Sequence, residues 1–284
     1  MLDRTDVVFL YDGTYEGLLT CVFESYARKI LPLDILSESS EEGLLFDTVY
    51  IETEGEKARR VETGIRTKLG EEALGVVRDG CLTCHPHKEL LLLRYIRLGF
   101  QKGRSAFNRL AEEPMHSLNK AVQNLRREAH LYTGFVRFAS HGQVLIAEIE
   151  PENQVLPVIA DHFSDRFSGE AFLIHDRTHR RALVHRPNEY VIMDVDELTL
   201  PSESPDEGSY RAMWQRFYET IAIQARVNPR GRMNHMPKRF WKLLPEMESA
   251  RIAEAAERYT VSLEDKGRSP KEEEQRGQQE ENNR

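Results

Sequence analysis

Between residues 134 and 193 the apolar side chains stop recurring every three or four positions and begin to alternate, and this change of period narrows the folds open to the chain. Gly134-Phe135-Val136-Arg137-Phe138 reads as a strand, His141-Gly142 as a hairpin turn, and Val144 to Ile149 as the returning partner. Leu156, Ile159, Ala160 and Phe163 then fall at helical spacing. Two further alternating runs follow, Ala171 to His175 and Arg181 to His185, on either side of the turn Asp176-Arg177, and Tyr190-Val191-Ile192-Met193 adds a last strand. Strand, strand, helix, strand, strand predicts an α+β fold, an antiparallel sheet flanked by helices.

The rest of the chain is arranged around this block. Val7-Val8-Phe9-Leu10-Tyr11 has the unbroken apolar character of a buried strand, and Asp12-Gly13-Thr14 is a turn ending in a helix-capping residue. Leu18, Leu19, Val22, Phe23, Tyr26 and Ile30 continue at helical spacing, so the chain opens on a strand-turn-helix unit. The free N–H groups at that helix start would let Asp12-Gly13 cradle an anion, and a plain turn accounts for the same residues. Leu44 to Thr53 is a second strand region, 56–79 a helix carrying Val61, Ile65, Leu69 and Leu74, His87 to Phe100 another, and Asn119 to Leu131 an amphipathic third. Beyond a polar stretch, helices are expected over Tyr210 to Arg226, after Pro237, and over Met247 to Tyr259. Residues 264–284 contain no apolar residue and cannot bury a core. The expected organisation is therefore an α+β domain over 1–200, a linker over 201–208, a C-terminal helical segment over 209–263 and a disordered tail over 264–284.

The longest apolar run is of the order of Leu90-Leu91-Leu92-Leu93, far short of the roughly 20 residues a membrane helix needs. The first residues carry no basic-then-apolar block, and three cysteines are too few for a disulfide framework. A cytoplasmic protein without a membrane partner is the expectation.

The net charge of −8 conceals a segregation. Residues 94–141 hold nine basic and three acidic groups, 166–186 five and two, and 226–242 six and none. Cations gathered on one face of an otherwise acidic molecule suit a polyanion, because they neutralise phosphates and release counterions. Lys238-Arg239-Phe240-Trp241-Lys242 interleaves aromatics with cations, the pattern that holds single-stranded nucleic acid by stacking and phosphate contact. Arg137, Arg166, Arg226, Arg230, Arg232, Lys238, Arg239 and Lys242 are the expected nucleic-acid contacts, with Trp241 as a stacking surface. A solvated charged face and a buried Trp241 are the alternative reading of the same residues.

Two groups carry candidate chemistry. Cys81, Cys84, His85 and His87 stand in a Cys-x-x-Cys-His-x-His string that fits a zinc knuckle, a haem attachment, a redox pair or ordinary turn residues before a helix. His162, His175, His179 and His185 fall close together in the sequence, with Asp161, Asp165 and Asp176 beside them. His162, His175 and Asp176 would be the candidate catalytic group of a metal-dependent nuclease or base-directed hydrolase. No phosphate loop, nucleophile elbow or dinucleotide fingerprint occurs.

Phe9 to Leu19, Arg60-Val61-Glu62-Thr63-Gly64-Ile65, Gly134 to Phe138, His162 to Phe167, Trp214 to Tyr218, Arg226 to Arg230 and Met236 to Lys242 together resemble a bacterial family of DNA metabolism proteins, over roughly 7–247. Members of that family accompany a radical S-adenosylmethionine (SAM) protein of DNA modification or repair, and related domains are fused to uracil-DNA glycosylase-like domains. The resemblance implies a nucleic-acid-binding accessory role in DNA repair or modification, with DNA and the radical SAM protein as partners. It implies no cofactor of the chain's own, because the iron–sulfur cluster and S-adenosylmethionine would belong to the partner. It supplies no catalytic residues, and the family pattern as a rule lacks Cys81 and Cys84.

Overall fold

The computed structural model describes residues 6–38, 46–104, 113–195, 204–221 and 228–247. It is an α+β fold with two sheets. The first is parallel. Strand β1 (Val7–Tyr11) lies in its middle, with β2 (Asp34–Ser37) on one side and β3 (Asp47–Tyr50) on the other. Val7, Val8, Phe9 and Tyr11 are all buried, as a central parallel strand covered on both faces requires. Helix α1 (Tyr15–Ala27) follows directly, and the Thr14 hydroxyl caps it by accepting from the Gly17 N–H at 2.9 Å.

The stretch expected as one helix over 56–79 is two, α2 (Gly55–Leu69) and α3 (Glu71–Cys81). The break is Gly70, whose φ of +102° is open to glycine and strained for other residues. Helices α4 (Lys88–Lys102) and α5 (Met115–Phe135) complete the first layer. Phe9, Leu18, Val22, Ile65, Leu74, Leu92, Ile96 and Leu118 form its core.

The second sheet runs β4 (Ala139–His141), β5 (Val144–Ile149), β6 (Ala171–Asp176), β7 (Arg181–Arg186), β8 (Glu189–Asp194), in that spatial order. It departs from the expected all-antiparallel sheet at one pair. Helix α6 (Leu156–Arg166) carries the chain back, so β6 runs parallel to β5, and every other pair is antiparallel. The strand expected over Gly134 to Phe138 also starts later. Gly134 and Phe135 belong to the last turn of α5, whose apolar stripe ends with Phe135 packed 5.2 Å from the Phe240 ring.

The C-terminal elements are α7 (Glu207–Ile221), α8 (Pro229–His235) and two short 3-10 helices, Lys238–Leu243 and Pro245–Met247. Phe240, Trp241, Leu244 and Met247 are buried in the same cluster as Ala147, Ile149, Phe172, Ile174 and Leu183 of the sheet. This segment thus completes the core of the second sheet. Residues 201–203, Arg226, the chain after Met247 and the expected tail lie outside the described residues. Among the described residues no helix is long and apolar enough to cross a membrane.

Candidate functional site

The order β2-β1-β3 leaves a crevice at the carboxyl ends of the parallel strands, the place where open α/β sheets bind ligands. A cleft of about 650 Å3 occupies it. Tyr11, Asp12 and Ser37 come from the strand ends, Thr14 and Tyr15 from the start of α1, and Cys81, Lys88 and Glu89 from the α3–α4 junction. Gln154 of the β5–α6 loop, His179 of the β6–β7 turn, and Arg181 and Asp194 at the ends of β7 and β8 complete it, so both halves of the molecule build the wall.

A buried polar bridge fixes the two halves against each other. Glu128 of α5 is 2% exposed and accepts from the Glu152 and Asn153 N–H groups and from Asn153 Nδ2. Asn153 Oδ1 in turn accepts from the Cys84 N–H at 2.9 Å, and the Gln154 N–H donates to the Leu82 carbonyl. A buried carboxylate with three N–H donors is a satisfied one. The chain through Cys84 is therefore a structural junction at the rim of the cleft.

Asp12 sits exposed at the end of β1. Its Oδ1 accepts from the Thr14 N–H and hydroxyl, and its Oδ2 from the Thr53 hydroxyl. Burial opposes the charge, but these donors outweigh it and hold the carboxyl below its ordinary value. Across the cleft the Tyr11 hydroxyl donates to Glu89 Oε1 at 3.2 Å. Burial lifts the Glu89 carboxyl above its usual range, and burial with the adjacent Glu89 lifts the Tyr11 phenol.

His179 supplies the clearest pairing. Its Nδ1 lies 2.7 Å from Oδ2 of Asp176, a carboxylate 1% exposed whose Oδ1 accepts from the Thr178 and His179 N–H groups. Such a partner fixes the ring and leaves Nε2 as the nitrogen open to a ligand. Asp176 was expected to act with His162 and His175, and the fold separates the three. His175 and Asp176 are consecutive on β6 and lie on opposite faces. His175 is 3.5 Å from Glu148, and His162 is exposed on α6 with its ring edge against Phe163. His179 carried a sequence signal, a histidine three residues after an aspartate in a hairpin turn.

The cysteine string disperses in the same way. Burial pushes the Cys81 thiol up to about 12, Cys84 is exposed, and His87 Nδ1 lies 2.9 Å from Asp34 Oδ2. His85 Nδ1 accepts from the His87 N–H. Among the described residues no group of three or more His, Cys, Asp or Glu side chains is placed to hold a metal ion.

The expected basic interface is largely engaged within the molecule. Arg137 donates to Glu246 at 2.7 Å and lies over the Trp214 ring. Arg239 pairs with Glu152 and Glu128, Lys242 with Glu150, and Arg232 rests against the Met247 sulfur. Trp241 is 7% exposed and donates Nε1–H to the Met236 carbonyl, so burial leaves it no free stacking face. Arg166 and Arg230 are exposed. Local interleaving of rings and cations had two possible causes, and here the rings build core while the cations clamp the 3-10 helix onto carboxylates of α5 and the β5–α6 loop.

A different surface combines rings with cations. On α1, Phe23 lies under Arg60 at 5.0 Å and Lys57 at 5.7 Å. Tyr26, one turn on and 41% exposed, lies under Arg97 at 4.6 Å and 6.4 Å from the Phe100 ring. Phe100 lies under Lys68 at 5.4 Å. Arg60, Gly64 and Lys68 recur at helical spacing on α2, and a Cβ on Gly64 would touch Phe100 at 3.4 Å. A shallow groove of about 460 Å3 runs along α2 past Glu56, Arg59, Arg60, Thr63, Gly64 and Thr67, two cations against one carboxylate. Arg59, Arg60 and Lys68 have no carboxylate partner among the described residues. The separation of α1, α2 and α4 in the sequence hid this strip.

One family model matches the chain, over residues 86–246, more than half its length, and its description is a domain of unknown function, DUF4130. No curated protein and no solved structure matches.

Proposed function

Because the chain belongs to the family described as DUF4130, whose function is open, we propose from its surface chemistry that it is a nucleic-acid-binding protein that holds single-stranded DNA or RNA on the α1–α2–α4 strip. The observation that carries this reading is the run of three rings, Phe23, Tyr26 and Phe100, each covered by cations of a neighbouring helix. Guanidinium planes and partly open rings give bases a surface to stack on, while Arg59, Arg60 and Lys68 meet phosphates. The acidic remainder of the molecule limits indiscriminate adhesion. An accessory role in DNA repair or modification beside a radical SAM enzyme is part of the proposal, and the family resemblance of the sequence is what supports it.

Fluorescence anisotropy with labelled single-stranded, duplex and uracil-containing DNA across a salt series tests the reading. Single strands are expected to bind most tightly, with affinity falling steeply as salt rises. Arg60→Gln with Lys68→Gln should weaken binding and lower the salt slope by about one per lost contact. Unchanged affinity and slope in the double variant would remove the strip from consideration.

A further inference from the structure

We propose that the cleft at the strand ends is a binding site for an unphosphorylated nucleoside, either free or as a base and sugar turned out of a bound strand. The choice of a nucleoside over another polar ring rests on the nucleic-acid reading above. The exclusion of phosphate rests on the cleft alone.

The cleft wall holds three carboxylates, Asp12, Glu89 and Asp194, against two cations, Lys88 and Arg181. Arg181 is paired with a carboxylate, whereas Lys88 spends one of its three N–H groups on a backbone carbonyl. Lys88 Nζ donates to the Cys81 carbonyl at 2.8 Å, and Arg181 lies 3.1 Å from Asp194 and donates to Gln154. The start of α1 would be the natural seat of a phosphate, and Asp12 already takes the Thr14 N–H there. A dianionic group would thus meet the ionised Asp12 carboxylate on a wall where acids outnumber cations, with Lys88 alone left to offset its charge. A neutral ligand rich in N–H and O–H donors meets the opposite situation.

Asp12 keeps lone pairs for such donors, as does the Glu89 carboxyl beside Tyr11. His179, fixed through Nδ1 by buried Asp176, brings a second ring nitrogen to the same wall, and Gln154 adds an amide. Tyr15, half-buried, supplies aromatic surface. A flat heterocycle with amino or amide edges matches this mixture of rings and acceptors. The volume of about 650 Å3 lies within the range of small-molecule sites.

Isothermal titration of the full chain with adenosine, guanosine, cytidine and thymidine, and with the four 5′-monophosphates, tests this. At least one nucleoside should bind with a dissociation constant at or below the low millimolar range, and its monophosphate about tenfold more weakly. Asp12→Asn keeps an acceptor for the Thr14 N–H and removes the charge. It should narrow or abolish the discrimination against the monophosphate, with a modest fall in melting temperature because the Thr14 and Thr53 donors lose a charged acceptor. His179→Gln should lower affinity for the nucleoside. Absence of binding by all four nucleosides, or a monophosphate that binds wild type as well as its nucleoside, would overturn the proposal. So would free ribose binding as tightly as the nucleosides, because the base would then contribute nothing. An oligonucleotide arm separates the two sources, since competition between a nucleoside and a bound single strand marks a turned-out base. Loss of strand binding in the Arg60 and Lys68 variant with nucleoside binding intact would show the two sites to be independent.

Discussion

Gly17 lies beneath the side chain of Asp12, in the first turn of α1. A Cβ there would stand 2.7 Å from Thr53 Oγ1 and 2.9 Å from Tyr11 Cδ2, and closer still to Asp12 Oδ1. The strand end folds its carboxylate back over the helix it leads into, and only a residue without a side chain leaves room.

This relationship reverses the usual effect of alanine in a helix. Gly→Ala in a helix interior ordinarily stabilises by about 0.5–1 kcal/mol. Gly75 of α3 has open space around its Cβ position, so Gly75→Ala should follow that rule. Gly17→Ala should instead destabilise by about 1–3 kcal/mol, because crowding displaces Asp12, Thr53 or Tyr11. Urea unfolding of both variants checks the pair, and a stabilised Gly17→Ala would mean that the Asp12 turn relaxes freely.

Two buried acids tie acid stability to particular partners. Burial disfavours the Glu246 charge, but Arg137, the Trp214 N–H and its own backbone N–H outweigh that and hold its carboxyl below the ordinary value. Glu24 is lowered in the same way, with Lys57 and Arg28 outweighing burial. A carboxyl whose folded pKa is depressed contributes stability above its unfolded pKa of about 4.3, and loses it as pH falls through the folded value. The melting temperature should therefore hold at neutral pH and fall below about pH 4. Glu246→Gln should flatten that acid limb and cost about 1–3 kcal/mol at neutral pH, since Arg137 loses its charged partner. Melting curves between neutral pH and pH 3 measure both.

Glu89 has the opposite sign. Burial raises its carboxyl, so between the unfolded Glu value and the raised folded one the native state binds more protons than the unfolded state. Stability then declines as pH rises through that window. Glu89→Gln keeps an acceptor for the Tyr11 hydroxyl and removes the buried charge, so it should raise the melting temperature at neutral pH and have little effect near pH 4. A lower melting temperature at neutral pH would mean that the ionised carboxylate stabilises the fold.

The elements legible in the sequence were those whose periodicity is local. β1, α1, α6 and the β6–β7 hairpin follow directly from runs such as Val7 to Tyr11 and Ala171 to His175. β2 was not legible, because Pro32 and Asp34 interrupt its apolar run and only Ile35 is fully buried. The parallel pairing of β5 with β6 depends on where α6 returns the chain, which spacing alone does not reveal. Charge counts located the cations without their partners. Glu128, Glu150 and Glu152 lie far from Arg239 and Lys242 in sequence and meet them only in the fold. The pairing of Asp176 with His179 was visible as a three-residue spacing, whereas the cleft around it needs Tyr11 and Glu89 from distant segments.

That difference between counted and available charge gives the last prediction. Arg239→Gln with Lys242→Gln removes two cations from the most basic stretch of the sequence, and Arg60→Gln with Lys68→Gln removes two from α2. Arg239 and Lys242 are 38% and 46% exposed in their side chains, so each of their ion pairs is worth about 0–1 kcal/mol after solvent screening. Unpairing Glu128, whose side chain is 2% exposed, adds to that cost. The first double variant should therefore unfold at lower urea while keeping its affinity for single-stranded DNA and its salt slope. The second should lose no more than about 1–2 kcal/mol, because Arg60 and Lys68 hold no carboxylate among the described residues and give up only their contacts with the Phe23 and Phe100 rings, and should lose affinity and slope. Anisotropy and urea titrations on the same preparations decide it. The reverse outcome, with binding lost on removing Arg239 and Lys242 alone, would return the nucleic-acid interface to the C-terminal segment and require its ion pairs to open on contact with phosphate.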